Sequence, residues 1–170
     1  MATATVNTLA REKADREATG TLQLVSFRSA DEVFGIEITK VREIILLCDI
    51  TRLPQTPHYV KGIINLRSTV IPVIDLRARF GFAESDPTAD SRIMVVNVGA
   101  RTVGIIVDAV EEVLRVSREQ IASAPPTVAG LGNEYLQGLV RLENQLLILL
   151  DIDRLLGSEE MESVMAGIGH

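Results

Sequence analysis

The sequence predicts an all-β protein of two small barrels, each with about five strands, together with a few short helices. Three observations support this fold class. The 170-residue chain is 46% hydrophobic but only 4% aromatic, so its apolar content is mainly Val, Ile and Leu, which favour strands. The apolar stretches are short and separated by polar turns, as is typical of barrels and sandwiches. The third observation is an internal repeat that divides the chain into two similar copies.

The repeat consists of three blocks that recur in the same order. The aligned pairs are residues 33–44 with 102–113 at an offset of 69, and 59–67 with 135–143 and 70–81 with 146–157 at an offset of 76. The offset changes within a loop that contains Pro and Gly, near residues 125–134. Because short strands cannot leave their edges unpaired, each copy is expected to close into a barrel.

Apolar runs and turns place the strands along the chain. The predicted strands are residues 22–27, 33–38, 62–67, 69–74, 93–98, 102–107, 139–142 and 146–150. Short polar turns join them two by two, which favours a series of hairpins.

The helices are expected to be few and short. The candidate helices are residues 40–46, 76–80, 109–114 and 152–156. Asp75 and Asp151 occupy equivalent places in the repeat, each directly before one of these segments. Each carboxylate is expected to cap the N-terminus of the helix that follows. Since both copies carry this residue, we interpret it as structural rather than catalytic.

The repeat defines one domain over residues 21–157, with copies at about 22–81 and 93–157. An exchange of strands between the two barrels is compatible with this pattern. Residues 1–20 are expected to form a mobile tail, and residues 158–170 a short C-terminal helix or tail.

Composition and motifs exclude several functions. The net charge of −6 and the lack of a basic run argue against nucleic acid as a partner. Cys48 is the sole cysteine, so it cannot form an internal disulfide, and its place after an apolar run predicts a buried thiol. His58 and His170 are the only histidines. No metal, cofactor or enzymatic activity is expected, because no catalytic or phosphate-binding motif occurs.

No membrane span or signal peptide is recognisable, which favours a cytoplasmic protein without direct membrane insertion.

Two charged residues stand out because they lie within apolar, motif-like segments. Glu43 lies two residues after Val41, and Arg67 lies at the tip of a predicted strand. The second copy keeps the acid at Glu112 but has Glu143 in place of Arg67. Such an asymmetry is expected where one copy has acquired a partner. Ordinary solvated charges at strand ends are the alternative.

These segments resemble the CheW family, the coupling proteins of bacterial chemotaxis. The resemblance extends over about residues 21–160. Its most specific part is Lys-Gly-x-x-Asn-Leu-Arg at residues 61–67, followed by Ile-Pro-Val-Ile-Asp-Leu-Arg at residues 71–77. Residues 34–44, 103–108 and 135–151 add to it in the expected order.

The resemblance implies two five-stranded SH3-like β-barrels with a hydrophobic groove and core between them. It also implies an adaptor without enzymatic activity. Such an adaptor links the cytoplasmic tip of methyl-accepting chemotaxis receptors to the regulatory domain of the CheA histidine kinase in signalling arrays, and we expect it to be monomeric when isolated. Two alternatives stay open, which are a coupling module of a non-flagellar chemosensory pathway and a small-molecule-binding β-barrel.

The resemblance also assigns roles to individual positions. The matching positions are Val41, Glu43, Gly62 and Arg67 for receptor or kinase coupling, and Val110 and Val113 for the apolar groove. A helix that binds in a groove needs apolar anchors and a few charges that fix its register, and these residue types could supply both.

The sequence departs from the family pattern at two places. Ser68 stands where the family usually has Gly, and this would strain the turn if the position requires a positive φ. The loop at residues 122–127 lacks the charged and aromatic residues that some members use for ring contacts.

Overall fold

The computed structural model describes residues 20–123, 127–128, 131–132 and 135–156. The expectations for residues 1–19 and 158–170 lie outside the described residues. The elements are β1 (Thr21–Ser29), β2 (Glu32–Glu37), β3 (Val41–Leu46), β4 (Val60–Leu66), β5 (Thr69–Asp75), α1 (Leu76–Arg79), β6 (Arg92–Val98), β7 (Arg101–Val107), β8 (Ala109–Ser117), β9 (Ile121–Ala122), β10 (Thr127–Val128), β11 (Leu131–Gly132), β12 (Leu136–Arg141), β13 (Leu146–Leu150) and α2 (Ile152–Leu156). Short 3₁₀ turns at Ile38–Lys40 and Arg118–Gln120 precede β3 and β9.

The strands form two main sheets, each of which combines strands from both copies of the repeat. The first sheet has five strands in the order β3-β6-β7-β5-β4, and the second has six in the order β8-β1-β2-β13-β12-β9. The N-terminal hairpin of each copy therefore completes the sheet of the other copy. The predicted all-β class with few short helices is confirmed.

Each sheet closes on itself through the segment that follows its edge strand. In the first sheet, Thr51 lies beyond β3 and pairs with Ile63 on β4, the opposite edge. In the second sheet, β9 lies just beyond β8 and pairs with β12, where Ala122 lies opposite Leu139. Ile63 and Leu139 are equivalent in the repeat. We call the five-stranded unit the first barrel and the six-stranded unit the second barrel.

The buried hydrophobic residues in the described part of the chain form three clusters. One fills the first barrel, a second fills the second barrel, and the largest lies between the barrels with contributions from both sheets and both helices. Phe34 of β2 stacks on Phe80 at the end of α1, with ring centroids 5.5 Å apart. We call this largest cluster the central core, and its extent shows that the two barrels pack as one unit.

Two of the four predicted helices are wrong. Residues 40–46 and 109–114 lie mainly in strands β3 and β8. A bulge explains the error: Val110 lies opposite Phe27 and Val113 lies opposite Val25, so residues three apart on β8 meet the same face of β1. Apolar residues at this spacing imitate the periodicity of a helix.

The other two helices occur as predicted, with the predicted caps. The Asp75 carboxylate accepts a hydrogen bond from the Arg77 N–H at 3.1 Å, and that of Asp151 accepts one from the Arg154 N–H at 3.2 Å. The prediction for Cys48 is wrong, because this residue is exposed. It follows the end of β3, where the chain leaves the sheet before Thr51.

A cation lies where the two copies meet. The Arg79 guanidinium is 5.0 Å from the centre of the Tyr59 ring and 4.7 Å from that of Tyr135, and its Nη2 donates to the Tyr135 hydroxyl at 2.9 Å. These tyrosines are equivalent in the repeat. The arrangement joins the halves through an interaction of a cation with two aromatic rings.

Candidate binding surface

An ion pair connects the two edges of the first barrel. Glu43 lies on β3, and Arg67 lies in the turn that joins β4 to β5. The guanidinium donates two hydrogen bonds to the carboxylate, from Nη1 to Oε2 at 2.5 Å and from Nη2 to Oε1 at 2.9 Å. A two-point contact of this kind fixes both the distance and the orientation of the guanidinium.

The two partners differ strongly in exposure. The Arg67 side chain is 72% exposed, whereas that of Glu43 is only 11% exposed. The hydrogen bond and the charge of Glu43 raise the pKa of Arg67 above its already high usual value. Glu43 therefore serves as a nearly buried anchor for a permanent cation that lies in solvent. Such a cation can interact with an acidic group of a partner without first losing much conformational freedom.

The turn that carries Arg67 has an unusual backbone. Arg67 and Ser68 have φ values of 50° and 69°, as expected for the central residues of a type I′ hairpin turn. The Asn65 side-chain oxygen accepts a hydrogen bond from the Ser68 N–H at 2.9 Å and supports this conformation. The position of Ser68 does require a positive φ, which disfavours a residue with a Cβ atom.

The equivalent surface of the second barrel has a different charge. Glu112 and Glu143 occupy the positions of Glu43 and Arg67 there, and both are exposed. Two acids cannot form an ion pair. The Ser26 hydroxyl donates to the Glu112 carbonyl at 3.0 Å and accepts from its N–H at 3.1 Å, which fixes the bulge in β8. The Glu43–Arg67 ion pair thus has no counterpart at the equivalent positions of the second barrel.

Gly62 has a role in closing the first barrel. Its φ is +148°, and a Cβ atom there would lie 2.0 Å from the Thr51 carbonyl oxygen. The backbone N–H groups of Thr51 and Ile63 donate to each other's carbonyls at 2.9 and 2.8 Å directly beside it. Gly138, its equivalent, also lies close to the Ile121–Ala122 strand of the second barrel, where a Cβ atom would lie 2.5 Å from Ile121 Cγ2 and 2.8 Å from the Ala122 carbonyl oxygen. Gly62 therefore positions the segment after β3 and has no side chain to offer a partner.

The three apolar candidates differ in burial. Val41 is 8% exposed and belongs to the central core, and Val110, its repeat equivalent, is half-buried and packs against that core. Val113 is 46% exposed. Val41 and Val110 thus help hold the barrels together, and Val113 is the one of the three that a partner can contact extensively.

Sequence reasoning missed two exposed apolar residues on the strand segments that lead to and from the ion pair. Leu46 lies three residues after Glu43 and is 67% exposed, and Val70 lies three residues after Arg67 and is 45% exposed. Both belong to apolar strand runs, which made them resemble core residues. Together they place hydrophobic surface on both sequence segments that carry the ion pair.

Sequence reasoning also missed a polar contact between the copies. The Arg77 guanidinium donates to the Asp108 carboxylate, with Nη2 to Oδ2 at 2.6 Å, and the Ala30 N–H donates to the same Oδ2 at 2.9 Å. Partial burial would raise the pKa of Asp108, but the hydrogen bonds from Arg77 and Ala30 outweigh it and lower this pKa below its usual value. The contact joins α1 to the β7–β8 junction and the β1–β2 turn. Only the fold brings these distant positions together.

The fold and this surface define a tandem-barrel binding protein with side-chain-filled barrels and an exposed charged and apolar surface. Among the described residues, no helix has the length and apolar character needed to cross a membrane.

Comparisons with known proteins identify the family. The family model for the CheW-like domain matches residues 23–160. A chemotaxis protein CheW of Klebsiella aerogenes is 42% identical over 161 residues, which cover 95% of this chain and 93% of that protein. A chemotaxis protein CheW of Treponema pallidum is 38% identical over 146 residues, which cover 84% and 86% of the two chains. The chain therefore belongs to the CheW family, and the resemblance seen in the sequence is confirmed.

A solved structure supports the same conclusion. The crystal structure of the scaffolding protein TtCheW from Thermoanaerobacter tengcongensis matches with a TM-score of 0.76 at 34% identity, covering 82% of this chain and 90% of that one. The predicted pair of SH3-like barrels is confirmed. The predicted function is confirmed as that of a chemotaxis adaptor.

Proposed function

We propose that this adaptor couples the cytoplasmic tip of methyl-accepting chemotaxis receptors to the regulatory domain of a CheA-type histidine kinase. It acts by binding both partners at once and has no enzymatic activity of its own. It is a cytoplasmic protein, monomeric when isolated, that is recruited to receptor arrays at the membrane.

One observation carries this proposal beyond family membership. The first barrel holds the exposed Arg67 cation on the nearly buried Glu43 carboxylate, and Leu46 and Val70 expose apolar side chains on the same two segments. A fixed charge on strand segments that also expose apolar side chains is suited to binding a protein element by hydrophobic contact with a defined register. The exposed Val113 adds apolar surface on the second barrel.

The filled interiors of the barrels favour the adaptor over the alternative of a small-molecule-binding barrel. The residues inside each barrel are buried aliphatic side chains, including Val73 and Ile93 in the first and Leu147 and Leu149 in the second. Small barrels packed in this way leave little room for a ligand.

The test is co-purification with both partners. The full chain is mixed with a CheA-type kinase, with a receptor cytoplasmic fragment, and with both together, and the complexes are separated by size. We expect a complex with each partner and a ternary complex in which the receptor changes kinase autophosphorylation. Kinases from swimming and surface-motility pathways are compared to identify the pathway. Binding of the kinase without the receptor, or of neither, would contradict the proposal.

A further inference from the structure

Two ion pairs occupy equivalent junctions between the copies of the repeat. At the first junction, Arg77 of α1 contacts Asp108, which follows β7, with Nη2 and Oδ2 2.6 Å apart. At the second junction, Asp153 of α2 contacts Lys40, which follows β2, with Oδ2 and Nζ 2.7 Å apart. In each case the helix belongs to one copy of the repeat and the strand to the other. The two junctions are therefore formed in the same way.

The charges at the two junctions have opposite polarity. Arg77 and Asp153 are equivalent at the offset of 76, so the helix is positive at the first junction and negative at the second. Asp108 aligns with Thr39, the neighbour of Lys40, so the strand side is reversed as well. At each junction, the helix residue thus forms its ion pair with an opposite charge that the other copy carries.

The backbone cannot distinguish between the copies. β5 pairs with β7 in parallel, with Val73 opposite Gly104, and β13 pairs with β2 in parallel, with Leu149 opposite Gly35. Val73 is equivalent to Leu149, and Gly104 to Gly35, so the two ladders have the same register. A copy could therefore pair with a second copy of its own kind, taken from another molecule, without any change of register.

Such wrong pairing would bring like charges together. If two first copies paired, Arg77 would face Lys40. If two second copies paired, Asp153 would face Asp108. Like charges at contact distance disfavour an association, and specificity depends on such unfavourable contacts as much as on favourable ones.

We propose that the opposite polarity of these two ion pairs makes each half of the chain select the other half, and so keeps the protein monomeric as it folds. The surface concerned is the junction of each helix with the exchanged hairpin. At this surface each half of the chain binds the other half, and the opposite charges determine which half is bound. The proposal is independent of which receptor or kinase the adaptor binds.

The test uses full-length chains refolded at high concentration. The variant K40D/D153R keeps an ion pair at the second junction and leaves the net charge unchanged, but both junctions then have the same polarity. We expect about a fivefold larger fraction of dimer after refolding than for the wild type, because pairing of like halves no longer opposes like charges. Size-exclusion chromatography measures the fraction. Cross-links between equivalent halves of light and isotopically heavy chains identify the mispaired form.

The matched control is the quadruple variant R77D/D108R/K40D/D153R, which reverses both junctions and so restores opposite polarity. We expect its dimer fraction to return towards the wild-type value. The variant R77D/D108R also makes the polarities equal and gives a second test if K40D/D153R does not unfold cooperatively. Equal dimer fractions for the wild type and the equal-polarity variants would overturn the proposal, as would a quadruple variant that dimerises as much as they do.

Discussion

The two barrels share a backbone plan but differ in the charge of their outer surfaces. Both exchange a hairpin with the other copy, both place a glycine where the barrel closes, and both have a capped helix after the last strand. The first barrel carries the Glu43–Arg67 ion pair, whereas the second has Glu112 and Glu143 at those positions. Repeated features therefore build the fold, and the feature that is not repeated is the best candidate for recognition.

The largest expected effect concerns the closing glycines. Gly62→Ala should lower the free energy of unfolding by about 3 kcal/mol or more, because the new Cβ atom meets the Thr51 carbonyl at a positive φ. Gly138→Ala should cost less, since the nearest atoms there are 2.5 and 2.8 Å away and its φ is not in the positive range. Urea denaturation of both variants measures the difference. Equal losses would mean that the two closures are equally tight.

The next largest expected effect is a difference in stability between alanine variants of a buried and an exposed apolar candidate, Val41 and Val113. Val41→Ala should lower the free energy of unfolding by about 2 kcal/mol, because it removes buried methyl groups from the central core. Val113→Ala should change it by less than about 0.5 kcal/mol, since that side chain is half exposed. Thermal or urea unfolding provides the comparison. A large loss for Val113→Ala would place this residue in the core rather than on a binding surface.

The lowered pKa of Asp108 leads us to expect that the stability of the protein depends on pH. The pKa of this carboxyl group is lower in the folded state than in the unfolded state, so its contribution is complete above the unfolded value of about 3.9 and is lost as the pH falls through the folded value. Asp108→Asn should cost about 1 kcal/mol at pH 7, where the wild-type carboxylate is charged. Urea unfolding at pH values from 6 to 2.5 measures the free energy of unfolding. This free energy should fall less with decreasing pH in the variant than in the wild type. If the free energy of unfolding fell equally with pH in the variant and the wild type, Asp108 would not be the source of this pH dependence.

The smallest effect concerns the turn at the tip of the first barrel. Ser68→Gly should raise the free energy of unfolding by about 0.5–1 kcal/mol, because glycine adopts the φ of 69° without a steric penalty. The hydrogen bond from the residue 68 N–H to Asn65 is retained. Differential scanning calorimetry should detect a small rise in Tm. No rise would show that the Ser68 conformation carries little strain.

The sequence was sufficient for the repeated features. Alternating apolar runs and turn residues predicted the hairpins, and the repeat identified Asp75 and Asp151 as helix caps. These features depend on local interactions that each copy makes twice. The family resemblance rested on the same segments and was confirmed.

Features that depend on contacts between the copies were harder to predict. The bulges in β3 and β8 depend on pairing with the exchanged hairpins, and without that partner the spacing of Val110 and Val113 resembled a helix. The contact of Arg77 with Asp108 joins residues that only the fold brings together. For the candidate site, the sequence singled out Glu43 and Arg67 but could not indicate that they touch.

The most direct test of the central claim is the affinity of charge-reversal variants for the kinase regulatory domain and a receptor fragment, measured by calorimetric titration. Arg67→Glu should weaken binding to at least one partner by about tenfold or more. Arg141→Glu, which reverses an exposed charge on the second barrel, should leave both affinities within about twofold of the wild type. Circular dichroism verifies that both variants are folded. Wild-type affinities for Arg67→Glu, or equal losses for the two variants, would contradict the assignment of coupling to the anchored cation of the first barrel.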